Sequence, residues 1–184
     1  DGVDASIIRT NGLNEYNPIK DKYYEYDKDI YKDIHNLKDK IHKIEDLETY
    51  KSEIDNLERR ITIFHVEAIK DIGVEDGALI GFHGQTIYHN PEEKISRQLG
   101  NGKLLNQLVG KDVVFDFRSN DIQNGGQGAP LTPIFHQLIS RQKNIKLPVC
   151  FLNIGGISNI TIITNNNDLS ELMSKDIGPG NCLM

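Results

Sequence analysis

The sequence predicts an α/β fold in which helices flank a mixed sheet. Short apolar runs end in glycine or in charged residues, as where Val113, Val114 and Phe115 precede Asp116 and Arg118. A strand of that kind delivers polar side chains to its C-terminal edge, where open α/β sheets bind ligands. From Asp21 to about Asp71 apolar residues recur at spacings of three and four, the mark of an amphipathic helix or helical hairpin. Near the end of the chain two β-rich runs flank Gly155 and Gly156, which reads as a hairpin.

Taken in order, Ala5 to Ile8 predicts a short strand, and Asn11-Gly12 is a hairpin-turn signal. Within the charged region 21–71 the apolar positions are Ile30, Ile34, Leu37, Ile41, Ile44 and Leu47, then Tyr50, Ile54, Leu57, Ile61, Phe64 and Ala68. Their stripe is expected to cover the sheet rather than to pair with another chain as a coiled coil. Ala78 to Ile80 predicts a buried strand ended by Gly81, and Tyr88 to Pro91 the following turn. Lys103 to Val109 predicts a helix stopped by Gly110, which returns the chain to a strand at 112–117. Pro133 to Gln142 predicts another helix, followed by strands at Val149–Ile154 and Ile160–Ile163. Asn165 to Asp168 reads as a turn, and Asp176 stands before a rigid Gly178-Pro179-Gly180 bend, either as a placed carboxylate or as the cap of a helix beyond it.

Lys and Arg number 21 against 27 Asp and Glu, a net charge of -6, and no basic stripe offsets it. That balance argues against nucleic acid or an anionic membrane as partner. No apolar run approaches the ~18 residues of a membrane span, and Cys150 and Cys182 lack the number and spacing of a disulfide framework or zinc site. The expectation is a reduced, soluble, cytoplasmic protein. Both ends read as cut: Asp1 follows no initiator Met, and the last residues follow a glycine-rich turn that should lead onward.

The chemistry concentrates in four places. His83, Gly84, Gln85 and Thr86 put an imidazole, an amide and a hydroxyl at a strand's end, a set that suits a polyol. Phe115 to His136 carries Asp116, Arg118, Asp121 and the loop Gly125-Gly126-Gln127-Gly128-Ala129-Pro130, read either as a ligand loop or as a solvated turn with a structural Asp/Arg pair. Asp1-Gly2-Val3-Asp4 could hold a hydrated metal ion or simply turn the chain. The Gly155-Gly156 turn with Asn159 could grip phosphate through backbone amides, or be an ordinary β-turn.

In one order, the sequence contains Asp-Gly-Val-Asp at 1–4, His-Gly-Gln-Thr at 83–86, Asp-Phe-Arg at 116–118, Asp121 and Gly-Gly-Gln-Gly-Ala-Pro-Leu at 125–131. Asn-Ile-Gly-Gly-Ile-Ser-Asn at 153–159 and Asp-x-Gly-Pro-Gly-Asn at 176–181 follow. The set resembles the anhydro-N-acetylmuramic acid kinases of the sugar kinase, Hsp70 and actin superfamily, over nearly the whole chain except the charged helical region. The resemblance implies an actin-like (ribonuclease H-like) domain at 1–148 and the beginning of a second at 149–184. It implies ATP-dependent conversion of 1,6-anhydro-N-acetylmuramate and water to N-acetylmuramate 6-phosphate in peptidoglycan recycling, with Mg²⁺ and a homodimer at full length. By the same resemblance Asp176 is the general base, while Asp1, Gly2, Val3 and Asp4 with Gly155, Gly156 and Asn159 hold the ATP phosphates. Asp1 and Asp4 would also hold Mg²⁺, and His83, Gln85, Arg118, Asp121 and Gln127 would surround the sugar. Departures are the missing Gly-Thr-Ser before Asp1, the absence of about half of the expected chain, and Lys175 and Ile177 beside the base in place of an aromatic and a smaller residue. Two alternatives accompany this expectation: a kinase for another anhydrosugar, or a non-catalytic sugar-binding remnant.

Overall fold

A computed structural model describes residues 2–166, 168 and 171–180. Asp1, Asn181 and Cys182 lie outside the described residues. The chain forms two compact units, Asp1–Ile7 with Ile19–Gly128, and Ile8–Pro18 with Ala129–Met184.

The chain opens with β1 (Gly2–Thr10) and β2 (Tyr16–Glu25), which pair as a two-stranded ribbon. The Asn11-Gly12 signal is a turn as expected. Gly12 takes φ 74°, and Asn11 Oδ1 accepts the amides of Leu13, Asn14 and Glu15, each at 3.0 Å. Two expectations are corrected. The first strand begins at Gly2 rather than Ala5, and the segment from Asp21 is strand, not helix, until Glu25. Period two explains it: Lys20, Lys22 and Tyr24 share one face of β2. All three reach the end of one helix, Lys20 Nζ donating to the Ile72 carbonyl at 2.7 Å, and Lys22 Nζ and Tyr24 OH to Asp71 at 2.6 and 2.8 Å.

Helix formation starts at Asp27, whose Oδ1 accepts the Ile30 amide at 2.7 Å and caps α1 (Lys28–Lys38). The helical region is three helices rather than one or two, with α2 (Ile44–Thr49) and α3 (Lys51–Ile72) following. The spacing of three and four is accurate where packing uses it. Ile30, Ile34, Leu37, Ile41, Ile54, Leu57 and Ile61 form one core with Ile87 and Leu99, whereas Ile44 is exposed. Ile87 and Leu99 belong to β4 (Gln85–Asn90) and β5 (Ile95–Leu99), an antiparallel pair turned by Pro91 to Lys94. The apolar stripe therefore covers strands of its own chain, as expected.

β3 (Ile80–Phe82) lies two residues further along than the expected Ala78–Ile80, so Gly81 is inside the strand and does not end it. It pairs in parallel with β6 (Val113–Phe115), in the register Ile80 with Val113 and Phe82 with Phe115. A parallel pair needs a long crossover, here supplied by the β4–β5 hairpin and α4 (Gly102–Val109). Asn101 caps α4 through Leu104 N at 2.9 Å, and Gly110, the expected stop, ends it at φ 65°. Val66 of α3, Phe82 and Leu105 form a second core. The polar turn expected after Arg118 contains a short helix, α5 (Ser119–Gln123).

His65 on α3 packs its ring edge-on against Phe82 at 4.8 Å and meets the Ile61 carbonyl through Nδ1 at 2.8 Å. Burial holds this imidazole below its ordinary pKa, the hydrogen bond opposing. With the folded-state pKa depressed, the unfolded chain takes up the proton first as pH falls. The contribution is present above about pH 6.5 and is lost as pH falls through the folded-state value. The urea midpoint is expected to fall between about pH 7.5 and about pH 5, and less steeply in His65→Phe. An equal slope in both proteins would show that His65 is not the group responsible.

In the other unit α6 (Pro133–Gln142) faces β7 (Val149–Ile154), β8 (Ile157–Ile163) and β9 (Leu172–Pro179), an antiparallel sheet in that order. His136 stacks on Phe151 at 4.8 Å and bonds Thr161 Oγ1 at 2.9 Å through Nδ1. The expected hairpin is β7–β8. The bend expected at Gly178-Pro179-Gly180 is instead strand as far as Pro179, since β9 pairs along β8 from Leu172 to Pro179. No helix among the described residues is long and apolar enough to cross a membrane.

Candidate active site

Because β3 and β6 run parallel and in register, His83 and the segment Asp116 to Arg118 leave from the same edge. Asp116 turns the chain there at φ 59°, its Oδ1 accepting Ser119 Oγ at 2.5 Å. Asp and Asn tolerate this left-handed conformation better than bulkier residues do. The turn brings Arg118 back to His83, with Nε donating to His83 Nε2 at 3.0 Å and Nη1 to the Gly128 carbonyl at 2.5 Å. His83 Nδ1 meets the Gly84 carbonyl at 2.8 Å. A carbonyl only accepts, so Nδ1 carries the proton and Nε2 offers its lone pair to Arg118. The imidazole is neutral in this arrangement. Burial lowers its pKa and the Arg118 charge lowers it further, against the Gly84 bond.

Asp121 faces inward to its own loop. Its Oδ2 accepts the Gly128 amide at 2.7 Å, and its carbonyl accepts the Gly126 amide at 2.8 Å. A Cβ at Gly126 would strike the Asp121 carboxylate, which explains a glycine there. Asp121, Gly128, Arg118, His83 and Gly84 thus form one continuous hydrogen-bonded chain. Gln85 opens β4 half-buried and Gln127 is exposed in the loop, and neither hydrogen-bonds to His83, Arg118 or Asp121. The backbone carbonyls of Gly84 and Gly128 belong to this hydrogen-bonded chain, and side-chain reasoning missed them. Their signal was a glycine beside each polar residue.

In the second unit Asp176 lies on β9 directly opposite Asn159 on β8. The register shifts between Ser158 and Asn159, so Ile177 is the extra residue of a bulge, a feature that re-aims neighbouring side chains. Asp176 is exposed, whereas Asn159 Oδ1 is buried and has no hydrogen-bond partner among the described residues. The Gly155 and Gly156 amides donate to no backbone carbonyl among the described residues. Gly180 N donates to the Gly156 carbonyl at 2.9 Å, and a Cβ at Gly180 would strike the Gly155 carbonyl. The glycine turn and the strand carrying Asp176 are therefore fastened together.

The whole chain, residues 1–184, matches the family described as anhydro-N-acetylmuramic acid kinase. The chain belongs to that family. It is 56% identical over 188 residues to the anhydro-N-acetylmuramic acid kinase of Pelagibacter ubique, covering all of this chain and 50% of that protein. The kinases so named from Agrobacterium fabrum and Gluconobacter oxydans are 36% and 38% identical, again over all of this chain and 51% of each relative. The chain thus spans about half the length of the curated relatives it matches.

Measured against the family's expected phosphate motif, Gly2, Val3 and Asp4 lie within β1, with Asp4 exposed. A Cβ at Gly2 would meet Tyr23 and the Tyr24 carbonyl on β2. Among the described residues no group of three His, Cys, Asp or Glu side chains could hold a metal ion, and Asp1 is outside them.

Proposed function

We propose that the protein of which this chain is a part is an ATP-dependent kinase that converts 1,6-anhydro-N-acetylmuramate and water to N-acetylmuramate 6-phosphate in cell-wall recycling. The observation that carries this reading is the family match along every residue of the chain. Its fold is read as actin-like, with domains at 1–148 and from 149, and it works in the cytoplasm as a dimer. ATP is the second substrate and supplies the γ-phosphoryl group. The unengaged Gly155 and Gly156 amides suit its phosphates, with Asn159 beside them and Gly2 to Asp4 as the other expected contact. Asp1 and Asp4 are proposed to hold Mg²⁺.

Water attacks the anomeric carbon while Asp176 takes its proton. The C1–O6 bond breaks, and O6 attacks the γ-phosphorus of ATP, whose bond to the β–γ bridging oxygen breaks to release ADP. An exposed carboxylate held on a paired strand suits this role, because the strand fixes its direction. His83, Gln85, Arg118, Asp121 and Gln127 are assigned to the sugar side, Asp121 by ordering the loop that carries Gln127.

The test joins this chain to the remaining half of the Pelagibacter ubique relative and supplies ATP, the anhydrosugar and ¹⁸O-water. One ¹⁸O at C1 and a phosphate on O6 are expected. Phosphate release from ATP without a phosphorylated sugar would overturn the reading.

A further inference from the structure

We propose that Arg118, aimed by His83 and the Gly128 carbonyl, recognises the carboxylate of the sugar's lactyl group and so sets the enzyme's preference for an acidic amino sugar. The inference rests on the proposed function and names the group within that substrate that the site selects.

Arg118 has five N–H groups, and two are consumed inside the protein, one at Nε and one at Nη1. The remaining donors are the Nη2 pair and one at Nη1, the end-on fork that grips a carboxylate through two parallel hydrogen bonds. Among the described residues nothing takes that fork. None of the ion pairs among the described residues includes Arg118. The two carboxylates nearest in sequence are already engaged, Asp116 by Ser119 and Asp121 by Gly128. The guanidinium is half-buried, and burial lowers its pKa, the direction expected of a cation without a compensating anion.

The neighbours explain the aim. A neutral His83 accepts from Nε, which fixes the plane of the guanidinium, and the Gly128 carbonyl fixes its rotation. Gly128 is itself held by Asp121. Orienting two of five donors before the ligand arrives removes rotamer freedom that binding would otherwise have to freeze. A phosphate oxyanion from ATP shares the chemistry of a carboxylate, but a planar two-oxygen group fits the planar fork best.

Calorimetric titration of the chain compares the anhydrosugar with its lactyl carboxamide, which has the same shape but no charge. The wild type is expected to prefer the acid, and Arg118→Gln to shrink the ratio of the two dissociation constants roughly 10- to 100-fold, the worth of a charge-assisted hydrogen bond. Any general damage affects both sugars and cancels in that ratio. His83→Ala is expected to shrink it in part, and His83→Gln, which restores an acceptor near the Nε2 position, to recover it. Equal affinity of the wild type for acid and amide, binding of neither, or a ratio unmoved by Arg118→Gln would each overturn the proposal. A loss of ATP binding in Arg118→Gln with the sugar ratio intact would assign the fork to phosphate. Failure of the ¹⁸O experiment with the sugar ratio behaving as expected would remove the kinase reaction and leave Arg118 as a carboxylate site.

Discussion

Asp176→Asn is expected to lower turnover roughly 10²- to 10⁴-fold with little change in the KM for ATP, the usual cost of losing a general base. The substitution keeps size and hydrogen-bonding capacity and removes basicity. A helix cap was the other role open to an Asp at this position, and it would cost only about 1 kcal/mol of stability. The structure removes that alternative, because Asp176 is inside β9, paired with Asn159, and not at a helix start. The bulge at Ile177 strengthens the catalytic reading, since it turns this edge of the strand while the glycine turn anchors Gly180. Steady-state kinetics of the joined full-length protein decide the matter. Retention of more than about a tenth of the turnover would assign Asp176 a structural role.

Ile61→Ala is expected to cost about 2 to 5 kcal/mol of unfolding free energy, the range for removing a large aliphatic side chain from a tightly packed core. Ile61 is fully buried, and it sits where α3 meets the α1 stripe and the β4–β5 pair. Its backbone carbonyl also meets His65, so the turn of helix that carries it is tied to the second core through Phe82. Against a typical domain stability of about 5 to 15 kcal/mol, that loss would be severe. Urea unfolding followed by circular dichroism measures it. A change under about 1 kcal/mol would mean that the site relaxes around the missing atoms, which dense packing argues against.

What the sequence determined by itself is local. The apolar spacing of α1 and α3, the Gly110 stop of α4, the start of α6 at Pro133, the Asn11-Gly12 turn and the β7–β8 hairpin each depend on residues within a few positions of one another. The order of the short motifs sufficed to place the chain in its family. The tertiary structure decided whatever depends on distant partners. β2 carries charge on both faces and shows no alternation of apolar with polar residues, so its pairing with β1 and its contacts with Asp71 and Ile72, about fifty residues away, are what reveal it as a strand. β9 reads as a bend because of Gly178-Pro179-Gly180, and its pairing with β8 makes it a strand. Arg118 and His83 are 35 residues apart and meet because β3 and β6 pair in parallel. The Asp121–Gly128 bond spans only seven residues, yet it is the return of the loop, and no pattern in the residues around it, that brings the Gly128 amide to the carboxylate. Hydrophobic periodicity is written along the chain, whereas the pairing of polar groups is settled by which backbone segments the closed core brings within 3 Å of each other.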